Sequence, residues 1–272
     1  MFNNKQASRL MASPYIAWAV IFIVVPLAMV FYYGLTDESG ALSFANVAAI
    51  AEADNFKSLI LALVLALIST AVCFLLAYPL AMILARNKMS SQGIITTLFI
   101  LPMWMNFLLR TMAWMTLLEN KGVINGILSL LGLPNINVIN TSSAIVIGMV
   151  YNFLPFMILP LYNSLARIDD SVINAARDLG ANALQTFFKI TLPLTIPGIL
   201  SGITMVFIPA LTTFAISTML GGSKILLIGN VIEQEFTLSY DWNMGAGLSL
   251  VLMVFIIINM IVTLATDTSA DN

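Results

Sequence analysis

Long uninterrupted apolar runs dominate this chain, and strict two-residue alternation is scarce. A membrane-spanning helix needs ~20 mostly apolar residues. Six stretches qualify: 13–35, 58–84, 93–118, 144–162, 194–220 and 245–265. The third is interrupted by Pro102, Asn106 and Arg110, and the fourth contains Pro155 and Pro160. The pattern predicts an all-α polytopic membrane protein, one transmembrane domain over 1–272 with six spanning helices. The first run exceeds the ~7–15 residues of a signal-peptide core, and no small-residue cleavage site ends it, so it is read as a retained helix.

Lys and Arg in short loops set orientation. With the N-terminus inside, the inner segments carry Lys5, Arg9, Arg86, Lys88, Arg167, Arg177 and Lys189, seven in all, against Lys57, Lys121 and Lys224 outside, three. Both termini are therefore expected on the cytoplasmic side. The tail carries Asp267 and Asp271 but no basic anchor. The outer segments hold Asp37, Glu38, Glu52, Asp54, Glu119, Glu233, Glu235 and Asp241, eight acids against those three bases. Acids either simply tolerate that side or create a field that gathers cations.

Composition narrows the chemistry. The chain has 272 residues, 60% hydrophobic and 9% charged, where soluble domains carry about 25% charged. That excludes a water-soluble globule and a disordered chain. There is no histidine and one cysteine, Cys73, so imidazole chemistry, an intrachain disulfide and a cysteine-rich metal site are excluded. A net charge of −2 gives no basic patch for nucleic acid. Gly222-Ser223-Lys224 lacks the first glycine and the final hydroxyl residue of a phosphate loop. The chain therefore has no ATPase site of that kind.

The segment 163–193, between the fourth and fifth runs, is the most informative. Val172, Ala176, Leu179, Ala183 and Phe187 form a helical stripe, with Asn174, Arg177, Asp178 and Asn182 opposite. Asp169, Asp170 or Ser171 can cap its start, and Gly180 permits a sharp turn. The expected form is a short helix, a turn at Gly180-Ala181 and a second helix entering the membrane, with Pro193 and Pro197 near the start of the fifth span. A helix lying on lipid would carry bulky apolar residues and a basic face. Here Ala175, Ala176 and Gly180 stand at the centre amid mixed charges, which suits close approach by another protein.

Ala175-Ala176, Gly180-Ala181, Phe187, Ile190, Leu192-Pro193 and Pro197-Gly198 resemble the loop motif of ATP-binding-cassette importer permeases. In that family the motif forms a coupling helix seated in a cleft of the partner ATPase. The family's usual Glu is Asn174 here; a Glu three residues after Ser171 would complete a capping box, whereas Asn brings no charge. Leu101-Pro102-Met103-Trp104, Asn106, Arg110, Leu154-Pro155-Phe156-Met157, Gly221-Gly222 and Leu226 to Ile232 are similar to the spermidine/putrescine subgroup, above all its first permease. The resemblance implies a type I importer permease fold in a bacterial inner membrane and no cofactor on this chain, with ATP and Mg held by the partner. It also implies ATPase subunits, a second homologous permease forming a heterodimer, an extracytoplasmic polyamine-binding protein and a polycationic substrate. Asn174, Ala175, Ala176, Arg177, Asp178 and Gly180 would be the coupling residues.

A path for a polycation should offer aromatic faces, carboxylates or amide oxygens. Trp104, Asn106, Tyr151, Asn152 and Glu119 are the candidates, with Pro102 as a kink beside the first two. Trp114 is read as packing or an interface anchor, as are Trp18 and Trp242. Arg110, a charge within a span, is read as a gate residue or a partner of Glu119, since it would repel a cation. The stretch after Gly221-Gly222 is too short to cross and is expected to be re-entrant or interfacial. Other readings are an importer of another solute or an ion-coupled carrier. The carrier would require acids inside the spans, and none stands there.

Overall fold

The computed structural model describes residues 13–86, 101, 103–222 and 224–270. Its elements are α1 Ser13–Gly34, α2 Ala53–Arg86, α3 Phe107–Leu118, α4 Val123–Leu130, α5 Ser142–Ala166 and α6 Asp170–Asp178. They continue as α7 Ala183–Leu194, α8 Ile196–Thr212, α9 Ala215–Gly221, α10 Ile228–Gln234 and α11 Trp242–Ala270. Extended pairing among the described residues is limited to one isolated bridge, Thr36 with Leu42. Among the described residues four helices, α1, α2, α5 and the Trp242–Thr263 part of α11, are long and apolar enough to cross a membrane, and α7 with α8 add a fifth if that bent pair is one span.

Two of the predicted runs are broken. In the third, α3 starts only at Phe107, because the Asn106 side chain turns back to cap it; residues 93–100 and Pro102 lie outside the described residues. The fifth run, 194–220, is bent by 64° between α7 and α8 and interrupted again between Thr212 and Ala215. Prolines 193 and 197 flank the bend, where each removes a backbone donor, and Thr213 is extended at the second break. The second, fourth and sixth helices run longer than their apolar cores, over 53–86, 142–166 and 242–270.

The chain divides into two compact units, Met1–Phe56 with Val231–Phe255, and Lys57–Asn230 with Ile256–Asn272. In the first, Gly34 lets α1 close on α11: a Cβ there would stand 2.7 Å from Leu250 Cδ1 and 3.1 Å from the Ala246 carbonyl. The Thr36 carbonyl then accepts from two amides, Asn46 Nδ2 at 2.8 Å and Asn243 Nδ2 at 2.6 Å. Asp37 closes the following turn. The Ser39 hydroxyl, then the Ala41 amide, hold its carboxyl below the usual range. That contribution is present above the ordinary Asp value and is lost as pH falls through the lowered one.

In the second unit α5 is the axis. It packs against α8, α9 and α3, while α2 reaches it through Ser69 Oγ to Met149 Sδ, 3.3 Å. Small residues set the spacing. A Cβ on Gly198 would stand 2.5 Å from Ser164 Cβ and 2.9 Å from the Pro160 carbonyl, and one on Gly202 would stand 2.7 Å from Met157 Sδ.

Candidate functional site

The segment between α5 and α8 folds as a helix, a turn and a second helix. Asp169 caps α6, accepting from Ser171 N at 2.8 Å, so the N-cap lies two residues before the position the capping-box reading needs. Asn174 falls in mid-helix, exposed, and its lack of charge does not weaken the cap. The reciprocal box stands instead at α7, where Asn182 and Gln185 exchange side-chain and backbone bonds at 2.8 and 3.0 Å. Gly180, at φ +86°, ends α6. Its N–H donates to Arg177 O at 2.9 Å and that of Ala181 to Ala176 O at 3.0 Å, the paired bonds of a Schellman stop.

The apolar stripe does not continue across that turn. Ala176 is buried, but Leu179 is 90% exposed, and Val172, Leu184 and Phe188 are also exposed. Asn174, Ala175, Arg177, Asp178 and Gly180 lie on the same open surface. Among the described residues, none covers it.

Behind the loop is a contact that periodicity did not reveal. Thr195, at the 64° bend, gives its proton to the carbonyls of Leu192 and Thr191 at 2.9 and 3.0 Å. Its oxygen therefore receives the Tyr78 hydroxyl, 2.9 Å away on α2. The Phe187 ring meets Tyr78 edge-on at 5.7 Å. A tyrosine inside an apolar run, beside Pro79, is the only signal the sequence carries.

The path candidates divide. Trp104 is 78% exposed. Asn106 spends its oxygen on the amides of Leu108 and Leu109, at 2.9 and 3.3 Å, so it offers no free acceptor to an ammonium group. Tyr151 stacks edge-on against Trp114 at 5.2 Å, which brings Trp114 to a residue of the expected path. Asn152 lies one turn-face away, buried; its Nδ2 donates to Gly148 O at 2.9 Å and Thr111 Oγ1 at 3.4 Å, while Oδ1 has no partner. Arg110, beside Thr111, is 7% exposed, and its Nε is also unpaired. The expected pairing with Glu119 is not formed, because nine residues separate them along one helix, roughly 13 Å of rise. Glu119 is exposed at the end of α3 and lines a cavity of about 430 Å³ with Asn120, Lys121 and Asn140.

The stretch after Gly221-Gly222 contains α10 and a π turn, Glu235–Ser239. The glycine pair has a packing cause. Gly222 ends α9 at φ +58°, and a Cβ there would collide with the Asn140 side chain; one on Gly221 would stand 2.9 Å from Ile145 Cδ1. Valine at either would therefore damage packing, whatever docks nearby. Asn230 fastens this stretch to the second break. Its oxygen accepts from Ser217 Oγ at 2.5 Å and Leu227 N at 3.1 Å; its amide donates to Phe214 O at 3.1 Å and Thr218 Oγ1 at 2.8 Å. Asn230→Ala is expected to cost about 2 kcal/mol, because it orphans the buried Leu227 N–H, whereas Ser217 keeps the Phe214 carbonyl. Thermal unfolding of the detergent-solubilised protein measures this, and an unchanged midpoint counts against the latch.

Residues 77–269 match the family model described as binding-protein-dependent transport system inner membrane component. The spermidine/putrescine transport system permease protein PotB of Haemophilus influenzae is 35% identical over 262 residues, covering 93% of this chain and 91% of that protein. PotB of Escherichia coli K12 is 38% identical over 247 residues, covering 88% and 90%. A chain of a bacterial ABC transporter importing the acidic polysaccharide alginate superposes with a TM-score of 0.70 at 18% identity, covering 97% of this chain and 95% of that one. A chain of the MetNI methionine ABC transporter, inward facing, gives 0.54 at 18% identity, covering 79% and 95%.

Proposed function

The chain belongs to the binding-protein-dependent transport system inner membrane components, and from that membership we propose that it is the permease subunit of an ATP-driven importer that carries spermidine and putrescine across the inner membrane. Its fold is that of the type I ABC importer permeases. The observation that carries the mechanism is the uncovered surface of α6 and α7, with Leu179 and Leu184 exposed around a fixed Gly180 turn. A surface of small and apolar side chains ordered by its own caps suits a protein cleft.

In this reading the surface faces the cytoplasm, both termini lie on that side, and a nucleotide-binding ATPase subunit seats on Asn174–Gly180. ATP and its Mg belong to that partner. A second, homologous permease completes the pore, and an extracytoplasmic binding protein delivers the polyamine. ATP binding draws the ATPases together, the loop moves with them, and the spans alternate between outward and inward access. The Trp114–Tyr151 ring pair suits a flexible polycation passing by, and the buried, unpaired oxygen of Asn152 would join it only when the helices part. Arg110 beside them repels it and acts as a barrier between the two access states.

Uptake of labelled spermidine into cells lacking this gene, then carrying it again, tests the assignment. Uptake should return with the gene and yield to unlabelled putrescine but not to amino acids. Uptake that ignores the gene removes the polyamine assignment.

A further inference from the structure

In the unit formed by Met1–Phe56 and Val231–Phe255, a cavity of about 460 Å³ opens where α1 ends and α11 begins. None of its lining residues is among the path candidates named above. Its walls include three aromatic rings, Tyr33, Tyr240 and Trp242, and two carboxylates, Glu38 and Asp241; no Lys or Arg lines it. Tyr33 and Trp242 lie 6.3 Å apart, and Phe236 backs Trp242 edge-on at 5.7 Å.

The walls are built rather than loose. Asn243 ties the α11 side to the Tyr33 and Thr36 carbonyls at 3.0 and 2.6 Å. Asp241 spends Oδ1 on the Met244 amide at 2.8 Å, capping α11, and this leaves its second oxygen free. Among the described residues Glu38 makes no ion pair. Tyr240 holds φ +55°, a conformation that glycine or asparagine would adopt with less strain, and its ring is 73% exposed on the cavity wall.

Two uncompensated carboxylates beside aromatic faces in a concave site select a cation with an apolar body. We propose that this cavity is a primary-ammonium site. Two sources share that chemistry at the end of membrane-spanning helices: a free polyamine waiting to be taken up, which rests on the transport reading above, and the amine headgroup of an ethanolamine lipid, which does not.

The test uses the intact transporter in lipid nanodiscs, without binding protein. Glu38→Gln with Asp241→Asn removes both charges, and Asn keeps the helix cap. Trp242→Leu removes the central ring, and Trp242→Phe restores one. In phosphatidylglycerol discs, spermidine bound at equilibrium dialysis should fall at least tenfold in the double variant and in Trp242→Leu, and recover in Trp242→Phe. In discs containing phosphatidylethanolamine, native mass spectrometry should count retained lipid on the wild type and lose it in the same variants. A response to spermidine alone assigns a free amine, and a response to lipid alone assigns the headgroup. Equal binding of both by wild type and the double variant overturns the site. Loss of the polyamine assignment in the uptake experiment leaves the lipid result standing, so the two failures are separable.

Discussion

Valine at Gly180 is expected to cut spermidine uptake at least tenfold while the protein still reaches the membrane. Gly180 sits at φ +86°, and nothing lies within 4 Å of where a Cβ would point. The substitution therefore meets no steric wall. Its cost is the backbone conformation itself, about 1–2 kcal/mol for an L residue. The chain escapes that cost by abandoning the turn, and the Arg177 and Ala176 carbonyls lose their Gly180 and Ala181 donors. Leu179 and Leu184 then leave the positions proposed to fit a partner's cleft. Gly132 is the control. It also has a positive φ, +70°, and open space around it, but it follows α4, far along the chain from the coupling loop. Gly132→Val should carry the same backbone penalty and keep near-normal uptake. Equal loss at both positions would mean that folding, not coupling, is being measured.

Valine at Gly198 is expected to remove the protein from the membrane fraction almost entirely. Here the obstacle is the neighbouring helix. An added Cβ would stand 2.5 Å from Ser164 Cβ and 2.9 Å from the Pro160 carbonyl, and a backbone carbonyl cannot rotate aside. Overpacking a core typically costs 1–3 kcal/mol, and about 3 kcal/mol or more is expected where α5 and α8 touch through backbone. Immunoblotting of membranes, with the thermal midpoint of whatever survives, measures it. Gly126→Ala on α4, with no atom within 4 Å, should leave abundance unchanged or slightly raised, since alanine favours helix. Normal accumulation of Gly198→Val would mean that these two helices do not meet as described.

Apolar run length made the helices legible, because a spanning helix buries little else. The loop 163–193 was legible for another reason: Asp169, Gly180 and Asn182 act on their own neighbours within a few residues, and such local chemistry is written in sequence order. The breaks were legible only in part: the polar interruption of the third run stood in the sequence, but not what each break is made of. Asn106 looked like a polar residue on a path until its oxygen proved to be committed to two amides of α3. The interruption at Thr213–Phe214 depends on Asn230, 16 residues beyond the carbonyl it binds. The Tyr78–Thr195 bond spans 117 residues, and neither side chain signals the other. Hydropathy could say that Trp114 was near an interface, but not that Tyr151 would be its neighbour.

The bend at Thr195 has a mechanical meaning. Thrust delivered along α7 does not pass straight into α8, because at 64° more of it acts across the second helix than along it. Tyr78 grips that corner from α2, so the corner serves as a fulcrum. In the orientation proposed above, a short stroke at the loop would become a tilt of α8. The glycine contacts of Gly198 and Gly202 would carry that tilt into α5 as one stiff lever.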